Sequence, residues 1–264
     1  MKSVLKLVPI ICIFSIAFFL LREFGGYIGY NIGALVSDVG GLAYLYSTVG
    51  TLFAIFAAFV IVSESQDWNA LNSASKDEVR DLNELLLWST SLSKSLSARW
   101  SQAIRRYLEA VIEKEWESLK MGHTSREAEL ALSAFHGLLI DASKEKKDVG
   151  SRMFTIFNEL LNHRSIRVEY SWQPLPMILK FTIVLVDIAV VVLSLFIGVK
   201  DLWLDYIFMV CIVTLGSVIL IVVDDLDNPL RPGEWWLTSD NYKRLFSSIR
   251  MLKRDDEEMP RATA

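Results

Sequence analysis

Few side chains in this sequence could do chemistry, and they are scattered. Asp187 sits in the middle of a long apolar run, where an ionised group is costly and must face protein or water. Two readings stand for it: part of an ion or proton route, or a hydrogen-bonded carboxyl that glues helices together. Lys180, two turns earlier, is badly placed for a direct pair and is expected to snorkel to the membrane surface. Asp224, Asp225 and Asp227 with Asn228 form an acidic turn ahead of Pro229. That turn could mark a helix end at the water boundary, hold a hard cation such as Ca²⁺ through oxygen ligands, or contact the helices of a neighbouring subunit. Carboxylates at a helix C-terminus are electrostatically unfavourable, so a compensating arginine, Arg164 or Arg167, is expected beside them. The same two arginines otherwise read as partners of lipid headgroups or as positive charge at a cytoplasmic vestibule. His123, His136 and His163 show no metal-ligand spacing, and Cys12 and Cys211 fall inside apolar runs, unsuited to a zinc site or a disulfide. No phosphate loop, nucleophile elbow or cofactor motif is present, so no catalytic residue, metal or cofactor is nominated and an enzyme is not expected. A net charge of −4 offers nothing to nucleic acid.

The elements that carry these residues follow from hydropathy. Four apolar stretches, 3–21, 42–62, 177–199 and 202–223, stand as two pairs. A bilayer core of roughly 30 Å needs about 20 apolar residues as a helix. The runs are continuous rather than alternating, which favours helices over barrel strands. The first run starts with Lys2 and Lys6 but ends Phe18-Phe19-Leu20-Leu21-Arg22 without a small-residue cleavage site, so it reads as a retained helix bent near Pro9. Of 27 Lys and Arg residues, only Arg22 and Lys200 flank the turns inside the pairs. The positive-inside rule then places the N-terminus, the central block and the tail in the cytoplasm, with the protein in the plasma (inner) membrane. The expected division is 1–62 as a first hairpin, 63–176 as a cytoplasmic helical region, 177–223 as a second hairpin, and 224–264 as an acidic turn and tail.

The central block is helical in pattern. Leu82, Leu85, Leu86, Leu92 and Leu96 recur at three- and four-residue steps, and Ile104, Leu108, Val111, Ile112, Trp116 and Leu119 continue them, which predicts one helical stretch to about residue 120. Met121-Gly122-His123 reads as a stop. Thr124 to Glu127 fits a capping box with Thr124 as N-cap, opening a helix over 125–141. The charged stretch 144–148 reads as a break or a solvated helical turn, before a further helix over 149–163. Trp68, Trp88, Trp100 and Trp116 read as core packing. Trp235 and Trp236 suit the membrane interface. The segment 243–254 is basic and amphipathic, and 255–264 is expected to be disordered.

The string from Ile221 to Trp236, an apolar helix running into Asp-Asn-Pro and then Gly233, resembles the bestrophin-like domain family. Tyr46-Ser47-Thr48-Val49-Gly50-Thr51, Glu115-Trp116 before Gly122, and His163-Arg164-Ser165-Ile166-Arg167 followed by Leu175-Pro176 are similar to it in order and spacing. The resemblance implies an all-α membrane protein: four transmembrane helices as two hairpins, a helical cytoplasmic region, and a ring of copies, a pentamer by analogy with the bestrophin anion channels. It implies an oligomeric ion channel for inorganic anions such as chloride, its pore lined by the second transmembrane helix. Phe53, Phe56 and Val60, with Gly50 on the same helix, are then candidates for an apolar neck able to gate by dewetting. The second reading is a non-conducting membrane scaffold or sensor whose cytoplasmic helices bind a partner. The acidic run is shorter than the Ca²⁺ clasp of true bestrophins, which speaks against Ca²⁺ regulation.

Overall fold

The computed structural model describes residues 2–27, 39–197 and 201–258. Among them every regular element is a helix: α1 (Lys2–Tyr27), α2 (Val39–Ser89), α3 (Lys94–Ala110), a π turn (Val111–Glu115), α4 (Trp116–Lys120), α5 (Arg126–Glu145), α6 (Lys147–Tyr170), α7 (Met177–Phe196), α8 (Leu202–Asp227) and α9 (Asp240–Glu258). They form two compact units, residues 1–66 with 174–235 and residues 67–173 with 236–264. Lys200 and the side chain of Arg22 lie outside the described residues.

In the first unit, three helices are long and apolar enough to cross a membrane: α2, α7 and α8. The described apolar part of α1, Leu7–Leu20, is shorter. Phe53, Ala57 and Val60 of α2 pack with Ile183 and Val190 of α7, Val223 of α8 and Leu175. A second cluster joins Phe18 of α1 to Val191 of α7 and to Met209 and Val213 of α8. The hydroxyls of Ser15 and Tyr206 meet at 3.0 Å between α1 and α8. Asp201 caps α8, its carboxylate accepting from the N–H groups of Trp203 and Leu204, which otherwise have no partner in the first turn. The outward faces carry Ile55, Phe59, Phe181, Leu185, Ile207 and Leu215, all exposed. Apolar surface on that scale suits lipid or another chain, not water.

The second unit is a bundle of amphipathic helices. Trp100, Ile104, Tyr107 and Leu108 of α3 meet Phe135 of α5, and Met153, Ile156 and Leu160 of α6 complete the buried layer. Trp100 and Tyr107 contact Phe135 edge-on, with centroids 5.4 and 6.0 Å away, a geometry set by the ring quadrupole. Trp100 and Trp116 are core residues, whereas Trp68 and Trp88 are half-buried.

The helix limits depart from the sequence pattern at five places. The stretch expected to run unbroken to residue 120 is interrupted after Ser89. There Ser89 and Thr90 turn their hydroxyls onto the carbonyls of Leu86 and Leu87, offering the backbone an alternative to the next helical turn. The N-cap of α5 is Ser125, which accepts from the Ala128 N–H; Thr124 donates instead to Glu129. The break before α6 is one extended residue, Lys146. Finally, α6 continues past His163 to Tyr170, and α9 reaches Glu258 through residues expected to be disordered; 259–264 lie outside the described residues. The stop at Gly122 stands, with φ +80°, a left-handed conformation open to glycine at little cost.

Gly150 and Gly137 give a matched test of this packing. A Cβ at Gly150 would fall 2.5 Å from the Ser143 Cα, whereas one at Gly137 meets nothing within 4 Å. Gly150→Ala is expected to destabilise the protein by about 1–3 kcal/mol through overpacking. Gly137→Ala should be neutral or stabilising by up to about 1 kcal/mol, because alanine is the better helix former. Urea denaturation followed by far-UV circular dichroism separates the two; equal effects would show that α5 and α6 do not approach closely at Ser143.

Candidate functional site

The second unit buries charge around Arg167. Glu78 of α2, Glu115 of the π turn and Arg167 of α6 are each fully buried. Arg167 donates from Nε to Glu78 at 2.6 Å and from Nη2 to Glu115 at 2.6 Å. Arg164 donates to the other Glu115 oxygen, and the Tyr107 hydroxyl donates to Glu78 at 2.7 Å. The guanidinium lies 5.6 Å from the ring centres of both Trp116 and Tyr242, within reach of cation–π attraction. Two acids and two bases thus close a neutral network across α2, the π turn and α6, with an α9 aromatic against it. A π turn widens the helix by one residue, often at functional positions; here it carries Glu115.

Arg167 therefore does not face lipid headgroups or a vestibule, and neither arginine compensates the acidic turn. The continuation of α6 beyond His163 points Arg167 into the bundle, where Arg164 stays mostly buried beside it. A sign was present in the sequence: Glu78 and Glu115 both occupy core positions in apolar periodicity, Glu78 between Ala74 and Leu82, Glu115 between Val111 and Leu119. A buried acid at such a position demands a buried cation.

Burial pushes the Glu115 carboxyl up, but the guanidiniums of Arg167 and Arg164 outweigh it and hold it below the ordinary carboxylate range. Burial pulls Arg167 down, and Glu78 with the other acids reverses this. Burial raises the Tyr107 and Tyr242 phenols well above their ordinary value. Because Glu115 titrates lower folded than unfolded, its contribution is present above the unfolded carboxylate value and is lost as pH falls through the folded one. Acidification through that window should lower the denaturation midpoint, and Glu115→Gln should flatten the slope. Arg167→Met, which leaves the buried Glu78 without a cation and Glu115 with Arg164 alone, is expected to cost about 3–5 kcal/mol at neutral pH. An unchanged midpoint in Arg167→Met would show that the network is not buried in solution.

The acidic turn lies in the first unit and works as a clamp. Asp227, nearly buried, accepts from the Leu175 N–H, the Lys180 ammonium and the Asn228 amide. Lys180 thus supplies the cation expected from an arginine, and it pairs within the protein instead of reaching for the interface. Asp225 accepts from the Glu234 N–H at 3.0 Å and sits over Gly233, where a Cβ would come within 2.6 Å of it. Asp224 is exposed, and its carbonyl receives the Asn228 amide at 3.0 Å. The carboxylates diverge onto separate partners, and no cluster of three metal-ligating side chains occurs among the described residues.

The neck candidates divide. Phe53 and Val60 are buried within their own chain, against α7 and α8, so they cannot line an axial path. Phe56 is half-buried on the same core, and Gly50 has open space above it. The face that α2 leaves uncovered carries two stripes. Leu45, Leu52 and Phe59 with Ile55 are bulky and exposed, while Ser47, Thr51, Ala54 and Ala58 are small and exposed. Helical spacing names sets of residues sharing a face but not the side on which partners lie. Asp187 of α7 is half-buried against α8, and a Cβ at Gly216 would lie 2.0 Å from its Oδ1. It makes no hydrogen bond or ion pair among the described residues.

A chain whose described residues form only helices, three of them apolar and long enough to cross a bilayer, is an integral membrane protein. The Bestrophin-like domain model matches residues 38–232, and the chain belongs to that family. A solved mutant of a bacterial bestrophin homologue from Klebsiella pneumoniae is similar to it with a TM-score of 0.73 and 13% identity, covering 96% of this chain and 100% of the other. A second mutant of the Klebsiella pneumoniae homologue gives 0.63 at 15% identity, over 96% and 99%. A structure described as a membrane protein gives 0.72 at 14% identity, over 98% and 99%. At such identity these likenesses establish the fold. No curated protein matches the sequence significantly.

Proposed function

We propose that this chain assembles into a ring, five copies by analogy with the family, and forms an ion channel for inorganic anions. The observation that carries this reading is the uncovered face of α2. Its inner face is occupied by α7 and α8, and its outer face presents a bulky apolar stripe and a small-residue stripe that no described residue covers. In a ring, the Leu52, Ile55 and Phe59 stripe is the constriction, narrow and apolar enough to gate by dewetting. The Ser47, Thr51, Ala54 and Ala58 stripe allows neighbouring copies to approach closely. The proposed topology has α1 as a fourth span, packed on α8, with the second unit in the cytoplasm. Asp227 and Lys180 hold the α7–α8 hairpin at its cytoplasmic end.

The competing reading is a non-conducting scaffold. It draws on an open groove of about 700 Å³ in the second unit, where Arg106, Glu109, Lys114 and Glu127 surround Leu130 between α3 and α5. Planar bilayers containing the purified protein under a chloride gradient decide between the two. The channel reading expects a reproducible current reversing near the chloride potential, and a larger conductance in Phe59→Ala. Phe53→Ala should instead lower stability by about 3–5 kcal/mol through a core cavity. Absence of current across voltage and pH would overturn the channel reading.

A further inference from the structure

The open groove of the second unit has a counterpart on the same unit, a ridge along another helix. The groove runs between α3 and α5. Lys114 and Glu127 attract each other at one end, and Arg99 holds Asp141 at 2.8 Å near the other. The two helices are therefore antiparallel, and from Glu127 to Asp141 the groove is about 21 Å long. Ala103, Ala110, Ala131, Ala134 and Gly137 leave room between the two backbones, and a Cβ at Gly137 meets nothing within 4 Å. The long side chains divide by sign. Glu109, Glu113 and Glu127 outnumber Lys114 toward one end, and Arg99 and Arg106 lie toward the other. Arg106, Glu109 and Glu113 make no ion pair among the described residues.

The ridge belongs to α6. Lys147, Ser151, Phe154, Asn158, Leu161 and Ser165 recur at steps of three and four residues, and all are exposed. That spacing is the seam of a helix that packs lengthwise on a partner. Phe154 is 51% exposed and Leu161 38%. After Lys147 the seam carries no charge, although exposed Arg152 and Glu159 stand beside it. Loss of charge around large apolar side chains marks the centre of a protein interface. Within its own chain α6 packs on α5 through its opposite side, where Phe157 meets Phe135 with ring centres 5.9 Å apart. The seam thus faces away from the helix that lines the groove, and no described residue of the same chain occupies either.

We infer that the α6 seam of one copy lies in the α3–α5 groove of the next. Charge sets the direction. Lys147 and the positive end of the α6 dipole belong at the end carrying Glu113 and Glu127, so the incoming helix runs parallel to α5. Equal steps along both helices then bring Ser151 beside Leu130 and Phe154 over Ala134. Groove and seam are unlike faces, so the contact is head to tail, the kind that closes into a ring or runs on as a filament. The inference rests on the ring of the proposed function and supplies a contact for it in the second unit.

The test uses the full-length chain in nanodiscs, with Cys12 and Cys211, both free, replaced by serine, and a short bismaleimide as cross-linker. Phe154→Cys and Ala134→Cys stand at exposed positions. Together in one chain they should give a ladder of linked oligomers ending at the size of the ring, and either one alone should give none. Ser151→Cys should link to Leu130→Cys and not to Gly137→Cys, about 10 Å further along α5. Native mass spectrometry before cross-linking gives the number of copies. A ring without the ladder overturns the contact, leaves the ring reading standing and returns the groove to a foreign partner. A monomer overturns both. Dimers from Phe154→Cys alone, which mean a like-to-like contact, or a preference of Ser151→Cys for Gly137→Cys, which means the opposite direction, also overturn the inference.

Discussion

A charge withdrawn from water must meet an opposite charge or a full set of hydrogen bonds, and this requirement shapes both units. Arg167 is its clearest case. A fully buried guanidinium has a solvation cost that no single carboxylate offsets unless the geometry is good and the remaining donors find acceptors. Here Glu78, Glu115 and two aromatic rings converge on it from α2, the π turn, α4 and α9. The register of four segments is therefore coupled to one side chain. Apolar packing by itself tolerates sliding, whereas a bidentate arrangement of this kind does not. Specificity more than stability is the plausible return on such a network.

The same requirement acts where the membrane unit meets water. Asp227 is held by a lysine, a backbone N–H and an asparagine amide, so the α7–α8 pair is closed at that end by charge as well as by apolar contact. Asp201 closes the other end by capping α8. Asp187 differs, for it rests on Gly216 without a polar partner among the described residues. A side chain at 216 would displace the carboxyl from that position.

The helical character of the chain and its apolar segments of bilayer length were legible from apolar run length and from the helical recurrence of leucine, because both depend on local chain geometry. So was the family, from the order of short motifs around Gly50, Arg164 and the Asp-Asn-Pro turn; the matched segment and the solved relatives agree with it. The site was less legible. Arg164 and Arg167 read as surface charges near a membrane because their acidic partners lie 49 to 89 residues away in sequence. The Asp227 partner was missed for the opposite reason: Lys180 was weighed against the nearby Asp187, while its carboxylate lies on the following helix.

Residue types and spacing by themselves determined that this chain is helical, that it carries apolar segments of bilayer length, and that acids sit within or beside them. Those properties follow from the period of the helix and the thickness of a bilayer, which are the same for every chain. Only the tertiary structure decided which way each face turns. It put Phe53 and Val60 inside and Phe59 outside, and joined Arg167 to Glu78 and Glu115. Those outcomes depend on which helices become neighbours, and a helical period contains no information about the neighbour.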